Sequence, residues 1–242
     1  MEAVEYERMA AIEDQFWWFQ ALRRNMLTWL PPPGAAPLRL LDAGAGTGGW
    51  LKYLATHRPD IAAIGLEFDG KAAVWGQARC TRPFVRGTIN SLPFAPASID
   101  IITSSDVLCH AGVDEAKALA EFHAALKPGG RVLLSLPAYD WLLSEHDRAV
   151  HNSRRYTEPR LRQQLTDAGF RPLRSSYWNS LLFPLMVLRR KLWPSEGSDV
   201  SALPPLVDAG FSLLTGLETA WLRRGGRLPF GGSILIEAVK DA

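Results

Sequence analysis

A glycine-rich turn directly behind an apolar run limits the fold of this chain more than any other stretch. The run ends at Leu41 and is followed by Asp42. Glycines then stand at three alternate positions, Gly44, Gly46 and Gly48. An apolar run of this kind suits a strand buried on both faces, and glycines let a ligand lie against bare backbone beside a helix N-terminus. The stretch therefore predicts a strand, a nucleotide-binding turn and a helix, in that order.

Apolar runs and helical patterns alternate along the rest of the chain. Further strands are predicted near residues 61–66, 99–106, 131–136, 173–178 and 233–239, and residues 84–90 are predicted as a short strand with its exit loop. Helices are predicted over 113–127 and after Thr157. This alternation predicts a parallel, doubly wound α/β sheet, whose ligands bind at the carboxyl ends of the strands. Glu67, Thr88 and Asp106 fall at such ends. Glu67 stands about 20 residues beyond the glycines, where a carboxylate can accept hydrogen bonds from both hydroxyls of a ribose.

Composition limits the function classes that are open to the chain. Its 242 residues and 47% apolar content allow one large domain or two small ones. A formal net charge of only +2 does not favour a nucleic-acid-binding protein. Cys80 and Cys109 lie in neither a disulfide nor a metal-ligand spacing, so we expect reduced thiols and no bound metal. An acidic N-terminus and the lack of an apolar run long enough for a bilayer predict a cytoplasmic protein.

The N-terminal segment is rich in aromatic residues. Apolar residues at three-and-four spacing predict one helix over residues 6–30, which ends at Pro31–Pro33. Its centre, Phe16–Arg24, allows two interpretations. The helix could bury its aromatics on the domain and leave its arginines in water. Alternatively, it could form a lid over the glycine turn.

Several motifs now stand in an order that is typical of one family. The turn 41–48 and the acidic Glu67 are followed by Ser91–Phe94 with Ser98–Asp100, and then by Leu126–Gly130. In this order they resemble the class I S-adenosylmethionine (SAM)-dependent methyltransferases, in particular the type 11 group that includes ubiquinone and menaquinone biosynthesis enzymes. The resemblance covers residues 38–172, and the ordered set is far more specific than any member alone.

The resemblance implies a seven-stranded, Rossmann-like α/β sheet that is mostly parallel with an antiparallel last strand. It also implies an N-terminal helix and a helical insertion before the last strand. We therefore expect a single methyltransferase domain over residues 1–242. Its parts are a helical lid (1–33), a SAM-binding core (37–178), the insertion (179–230) and the last strand (231–242).

The resemblance also implies a cofactor, SAM, and its product, S-adenosylhomocysteine. Many relatives hold the adenine amino group with an Asp after the glycine at position 87, where this chain has Thr88. That contact must then come from the Thr88 hydroxyl, the neighbouring backbone or Asn90. The residues expected to contact the cofactor are Asp42, Gly44, Ala45, Gly46, Glu67, Phe68, Thr88, Ile89 and Asp106, with Trp18 and Arg23 from the lid.

Methyl transfer is an in-line displacement, so the protein mainly has to align the acceptor atom and exclude water. A base is needed only if the acceptor loses a proton. Asp106, Tyr139, Asp147 and His151 are candidates, but we favour His146, because its loop would lie over the acceptor side. His110 comes second, and a lone histidine is more often structural than catalytic.

The insertion, residues 179–230, is longer than a strand connection requires. Two apolar helices with basic ends are predicted, within residues 177–191 and 211–224. They could pack on their own domain, mediate a homodimer, form a lid over a small-molecule or lipid-like acceptor, or contact a membrane peripherally.

Two other functions stay open at this level. The chain could be a non-catalytic, SAM-binding or membrane-associated accessory protein. It could also be a nicotinamide-dependent oxidoreductase, because Gly44, Gly46 and Gly49 satisfy the dinucleotide pattern. Asp42 before the turn and the Leu92–Phe94 segment argue against the oxidoreductase.

Overall fold

The strands of the protein form a seven-stranded sheet. The computed structural model describes residues 10–34, 36–192 and 203–241. The strands are β1 (Leu38–Ala43), β2 (Ile61–Glu67), β3 (Phe84–Arg86), β4 (Ile99–Ser105), β5 (Leu126–Pro137), β6 (Phe170–Trp178) and β7 (Ser233–Lys240). Their spatial order is β3-β2-β1-β4-β5-β7-β6, and β7 lies antiparallel between β5 and β6 while β1 to β5 pair in parallel. This confirms the predicted fold class.

Helices cover both faces of the sheet. They are α1 (Trp17–Trp29), α2 (Gly49–His57), α3 (Gly70–Arg79), α4 (Glu115–Ala125), α5 (Glu145–Ala149), α6 (Glu158–Asp167), α7 (Phe183–Leu192) and α8 (Pro205–Arg223). Asp69 and Asp114 begin α3 and α4 as side-chain caps: Asp69 accepts hydrogen bonds from two backbone N–H groups of the first turn, and Asp114 accepts one. Such a cap stabilises a helix by about 1 kcal/mol.

The core consists of two layers, one on each face of the sheet. Along β5, Leu134 packs with Phe122 in one layer, whereas Leu133 packs with Leu54 in the other. Successive side chains of a strand point to opposite faces, so a strand covered on both sides reads as an unbroken apolar run. This explains why the central strands were recognisable in the sequence.

Strand β5 begins earlier than predicted. The sequence predicted a helix over residues 113–127 that stops at 127–130, but α4 ends at Ala125 and β5 starts at Leu126. Leu126 pairs with Ile99, and an irregularity between Ile99 and Ile101 absorbs the change of register. Pairing between distant segments, which single-sequence patterns do not report, decides this boundary.

The prediction of one helix over residues 6–30 is wrong. A turn at residues 13–15 interrupts it, and α1 begins only at Trp17; residues 6–9 lie outside the described part of the chain. The carboxylates of Glu13 and Asp14 form ion pairs with Arg23, Lys52 and Arg79. These long-range contacts override the local helical preference.

The insertion packs on its own chain. Thr219 of α8 donates a hydrogen bond of 2.6 Å to Asn25 of α1, and Asp208 accepts one of 3.2 Å from the Trp17 N–H. The buried Glu218 accepts hydrogen bonds of 2.7 Å from the backbone N–H groups of Asn179 and Leu181. Helix α8 is therefore fixed both to α1 and to the end of β6.

Candidate functional site

The glycine turn between β1 and α2 depends on its glycines. Gly44, Gly46 and Gly48 have φ angles of 93°, 53° and 81°, which other residues rarely adopt. A Cβ on Gly44 would also lie 2.2 Å from a methyl group of Val107. The backbone N–H groups of Gly44 and Ala45 both donate to the Leu66 carbonyl at 2.9 Å, which holds the turn against the end of β2.

Glu67 faces this turn from the carboxyl end of β2. One oxygen of its carboxylate accepts a hydrogen bond of 2.7 Å from the Gly46 N–H, and the other accepts one of 2.9 Å from the Asp69 N–H. The side chain is buried. A fixed carboxylate beside the turn is the arrangement that can accept hydrogen bonds from ribose hydroxyls.

Asp42 lies at the base of the turn. Its carboxylate accepts a 3.0 Å hydrogen bond from the Thr103 hydroxyl, which in turn accepts one of 3.2 Å from the Trp50 indole. Burial raises the pKa of Asp42 to about 7; the Thr103 hydrogen bond opposes this shift, and the charge of Glu67 adds to it. A buried carboxylate of this kind favours a cationic ligand.

Asp106 lies where β4 ends and has a left-handed backbone, with φ of 54°. One oxygen of its carboxylate is buried and has no hydrogen-bond partner among the described residues. Burial raises its pKa to about 7, although the Arg155 guanidinium acts in the opposite direction. Strained backbone and a buried polar atom without a partner are common at functional sites.

The two candidate histidines, His110 and His146, follow Asp106 in the sequence. Burial lowers the pKa of His110 to about 4, although a hydrogen bond between its ring and the Asp106 backbone acts the other way. His110 is therefore neutral at pH 7. His146 lies on α5, a five-residue helix that begins with a capping box of Ser144 and Asp147. The sequence placed His146 in a loop, and in this detail it was wrong.

All of these side chains line one cavity of about 600 Å³. The walls combine the glycine turn, the ends of β2 and β4, the N-terminal segment and both helices of the insertion. The residues predicted to contact the cofactor and the two favoured histidines all line it: Trp18, Arg23, Asp42, Gly44, Ala45, Gly46, Glu67, Phe68, Thr88, Ile89, Asp106, His110 and His146. Tyr139, a further base candidate, and Asn90, considered for the adenine end, do not line it.

Comparison with known proteins identifies the family. The sequence model of a family described as a methyltransferase domain matches residues 15–175, which is more than half of the chain. The chain belongs to the class I SAM-dependent methyltransferases. This membership argues against the oxidoreductase alternative, and the matched range includes both the glycine turn and α1.

Two curated methyltransferases illustrate the similarity. A malonyl-[acyl-carrier protein] O-methyltransferase from Dechloromonas aromatica is 38% identical over 43% of this chain and 38% of its own. A ubiquinone/menaquinone biosynthesis C-methyltransferase from Geotalea daltonii is 33% identical over 40% of this chain and 44% of its own. The similarity thus spans less than half of either relative.

A solved structure shares the whole fold of this methyltransferase. It is the complex between the Haloferax volcanii Trm112 methyltransferase activator and a protein proposed to be a methyltransferase, with a TM-score of 0.66 and 19% identity. The alignment covers 99% of this chain and 95% of that one. At this level of identity the likeness concerns the fold alone.

Thr88 and Asn90 occupy different environments in this methyltransferase. Thr88 lines the cavity, and its hydroxyl accepts a 3.2 Å hydrogen bond from the Asn90 N–H. The Asn90 side chain instead donates to the Gly112 carbonyl at 3.0 Å and accepts from the Asp114 N–H at 3.1 Å. Of the two side chains considered for the adenine end, Thr88 is the one that faces the cavity.

An ion-pair cluster at the cavity wall escaped prediction from the sequence. The buried Glu13 carboxylate contacts the Thr47 hydroxyl at 2.5 Å, Arg23 at 3.3 Å, and Arg79. The expectation that the arginines of the N-terminal helix remain in water is therefore wrong for Arg23, which is buried beside the glycine turn. Nothing local marks Glu13 as special, because its partners lie in distant segments.

A second charge cluster, formed by Asp147, Arg155 and Arg190, also lines the cavity. Asp147 accepts hydrogen bonds of 3.0 and 2.8 Å from the Arg155 guanidinium, and Arg190 of α7 lies 3.7 Å away. Burial acts to raise the pKa of Asp147, but the Arg155 guanidinium holds it below its usual value. Arg190 also donates to the Leu142 carbonyl at 3.0 Å, and so ties α7 to the segment after β5.

Residues 10–34, 36–192 and 203–241 contain neither a metal-binding cluster nor a membrane-spanning helix. No group of three or more His, Cys, Asp or Glu side chains in these ranges is arranged to hold a metal ion. None of the helices there combines the length and the apolar character that crossing a bilayer requires.

Proposed function

We propose that this chain moves a methyl group from SAM to a small-molecule or lipid-like acceptor by in-line displacement. One observation carries the proposal: the glycine turn, Glu67 and both candidate histidines line the same cavity. Its volume of about 600 Å³ is within the usual range of ligand pockets. A donor site and a proton acceptor that share one cavity suit a transfer reaction better than a binding protein.

The residues of the donor end fit SAM. Bound there, SAM supplies an electrophilic methyl group on a sulfonium centre. Glu67 would accept hydrogen bonds from the ribose hydroxyls, and Thr88 would face the adenine edge. Phe68 has 74% of its surface exposed although it lines the cavity, so its ring is available to stack on a purine.

The charge of the donor end fits the same ligand. The carboxyl groups of Asp42, Glu67 and Asp106 line the cavity together with Gly44. Protein carboxylates favour the cationic sulfonium and ammonium groups of SAM. The Arg23 guanidinium would pair with the carboxylate of SAM.

The lid would exclude water from the transfer. Helix α1 contributes Trp17 and Trp18 to the cavity wall, and α8 contributes Phe211. The Trp17 and Phe211 rings meet edge to face at 5.4 Å, so the two helices close the cavity as one unit. We therefore propose residues 1–33 and 179–230 as the lid, around a core that comprises residues 37–178 and 231–242.

Removal of a proton from the acceptor is proposed for His146. It lies on a helix held by the buried Asp147–Arg155 pair, which fixes its position at the acceptor end. His110 is a weaker base, because its pKa of about 4 lies far below neutrality. Asp106, with a pKa of about 7, is the third candidate.

The acceptor end combines apolar and cationic side chains. Leu182, Leu185 and Met186 line it together with Arg189 and Arg190 of α7. Such walls suit an acceptor with an apolar body and a polar head, and they support a lipid-like acceptor as well as a small metabolite. A cytoplasmic location, the absence of a nucleic-acid partner and a homodimer through the insertion stay predictions.

A labelling experiment tests the proposal. Purified protein, SAM labelled on its methyl group and fractionated native extract are combined, and the compound that gains the label is identified. We expect label in one fraction with the wild-type protein and none with Glu67→Ala. Cofactor binding without labelling of any fraction would contradict the enzyme and favour the non-catalytic accessory protein.

A further inference from the structure

The outer face of α8 is apolar along most of its length. Leu206, Leu213, Leu217 and Trp221 are 89%, 66%, 58% and 52% exposed. Their spacings of seven, four and four residues place them on one side of the helix. From Leu206 to Trp221 the stripe is about 22 Å long, at about 1.5 Å per residue. A helix on the surface of a soluble domain usually presents polar residues on this side.

Both acidic residues of α8 point away from this stripe. Asp208 accepts a 3.2 Å hydrogen bond from the Trp17 N–H. The buried Glu218 accepts two of 2.7 Å from Asn179 and Leu181. The two carboxylates of α8 therefore fix the helix to its own chain, and the exposed stripe contains no charged residue.

The apolar surface continues beyond α8. Leu181, whose N–H donates to Glu218, is 52% exposed and follows directly on β6. Phe230, whose carbonyl accepts a hydrogen bond from the Ser180 hydroxyl, is 44% exposed. We call the α8 stripe together with these two residues the α8 surface. It comprises six large apolar side chains that are 44% to 89% exposed. Groups of exposed apolar side chains are typical of interaction sites.

The α8 surface ends in a cluster of arginines. Arg223 and Arg224 are exposed at the end of the helix. Arg227 follows, but it forms an ion pair of 2.9 Å with Glu158, so Arg223 and Arg224 are the two arginines that we assign to the α8 surface. No Asp or Glu occurs from Thr219 to Gly232. Trp221 lies between the apolar and the basic parts, and its indole donates a 3.3 Å hydrogen bond to the Arg227 carbonyl. Tryptophan is favoured at membrane–water boundaries, because one part of its ring system is apolar and the other polar.

We infer that the α8 surface docks on an anionic lipid bilayer, with α8 lying in the plane of the headgroups. Apolar side chains would enter the acyl boundary, and the arginines would contact anionic headgroups. A second copy of the chain fits less well, because the α8 surface offers no acidic residue to pair with the arginines of a partner.

This docking would place the cavity beside the bilayer. Helix α8 presents the stripe on one side and lines the cavity with Phe211 on the other. A lipid-like acceptor could then pass from the bilayer to the cavity along α8; this part of the inference rests on the proposed methyl transfer, whereas the docking itself does not.

Vesicle flotation tests the docking. The full chain is mixed with phosphatidylcholine vesicles, with or without phosphatidylglycerol, at low and high salt. We expect flotation with the anionic vesicles at low salt and much less with phosphatidylcholine alone. Leu213→Glu combined with Leu217→Glu should reduce binding at least tenfold, and each of Arg223→Ala and Arg224→Ala roughly fivefold.

Two controls distinguish loss of docking from loss of the fold. Val74→Glu changes an apolar residue of α3 that is 67% exposed and lies outside the α8 surface, so it should float like the wild type. SAM binding by every variant shows that the fold is intact. It also separates failure of the docking from failure of the proposed function.

Three outcomes would overturn the inference. The first is a wild-type protein that stays unbound on anionic vesicles at low salt. The second is flotation of the Leu213→Glu, Leu217→Glu variant at the wild-type level. The third is a wild-type dimer in light scattering that the double variant dissociates while neither protein floats, which would assign the α8 surface to a second copy.

Discussion

The two ends of the cavity are built in different ways. The donor end is centred on the glycine turn after Asp42 and on Glu67, about 20 residues further along the chain, and it relies on backbone N–H groups and φ angles. The acceptor end gathers side chains from α1, α5, α7 and α8, which are far apart in the sequence. The donor end can therefore be identified from local sequence, whereas the acceptor end depends on how distant helices pack.

Removal of the proposed base should give the largest effect, at the acceptor end. We expect His146→Ala to lower turnover about 100- to 10,000-fold, the usual contribution of a general base, and to leave SAM affinity unchanged. Turnover is measured with labelled SAM and the responsive extract fraction. His57→Ala is the control, because His57 stacks on Tyr53 on the exposed side of α2. Full activity of His146→Ala would remove the residue from this role.

A methyl group added at Gly44 should disrupt the glycine turn and weaken SAM binding. Gly44→Ala combines a φ of 93° with a Cβ 2.2 Å from Val107, and each defect costs about 1–3 kcal/mol. We expect SAM affinity in calorimetry to fall about 100-fold. Gly129→Ala is the matched control, since Gly129 has a φ of 76° but open space around it. Equal affinity of the two variants would show that the turn does not hold the cofactor.

Loss of the Glu67 charge should weaken the donor end less. A hydrogen bond to a charged group contributes about 1.5–3 kcal/mol, so Glu67→Gln should bind SAM about 10- to 100-fold more weakly. Glu237→Gln provides the comparison, because Glu237 is a buried strand carboxylate that pairs with Arg131 and Arg174 outside the cavity. If both variants bind SAM like the wild type, Glu67 does not contact the ribose.

The comparison also shows what the sequence could reveal. Asp42, Gly44 and Glu67 were recognised because their roles follow from residue type and spacing along adjacent elements. Glu13 was missed, since its significance comes only from Arg23, Thr47 and Arg79, which the fold brings to it. In the same way, α8 was predicted as a helix, but no pattern indicated that it would pack on α1.

The ionisation of Asp42 should make the affinity for SAM depend on pH. The pKa of Asp42 is about 7, so the carboxyl is mainly neutral at pH 6 and ionised at pH 8. Cationic SAM prefers the ionised form, and its affinity should rise about tenfold over this range. S-adenosylhomocysteine lacks the sulfonium charge and should respond less, and Asp42→Asn should flatten the profile. Equal slopes for the two ligands would contradict the assignment.

The raised pKa of Asp42 also makes the free energy of unfolding depend on pH. The folded pKa of Asp42 lies above its unfolded value, so the folded state binds more protons between about pH 4 and pH 7. Stability of the ligand-free protein should therefore fall as the pH rises through this window. Thermal unfolding at pH 5 and pH 8 measures it, and the difference should shrink in Asp42→Asn.

Uncoupling the lid should give the smallest effect on affinity. Asn25→Ala removes the acceptor of the 2.6 Å hydrogen bond from Thr219, at a cost of about 1–3 kcal/mol to the contact between α1 and α8. Hydrogen exchange should accelerate in these helices and not in β1 or β2, with SAM affinity reduced less than about fivefold. Gln163→Ala on the surface of α6 is the control. Unchanged exchange in α1 would show that the helices do not close together.

Calorimetric titration of the wild-type protein with SAM, S-adenosylhomocysteine and NAD tests the central claim most directly. The cavity predicts that SAM and S-adenosylhomocysteine bind at micromolar concentrations, one molecule to each chain, and that NAD gives no heat of binding. Binding of NAD, or no binding of SAM by a folded protein, would contradict the assignment of the glycine turn and Glu67 to the methyl donor.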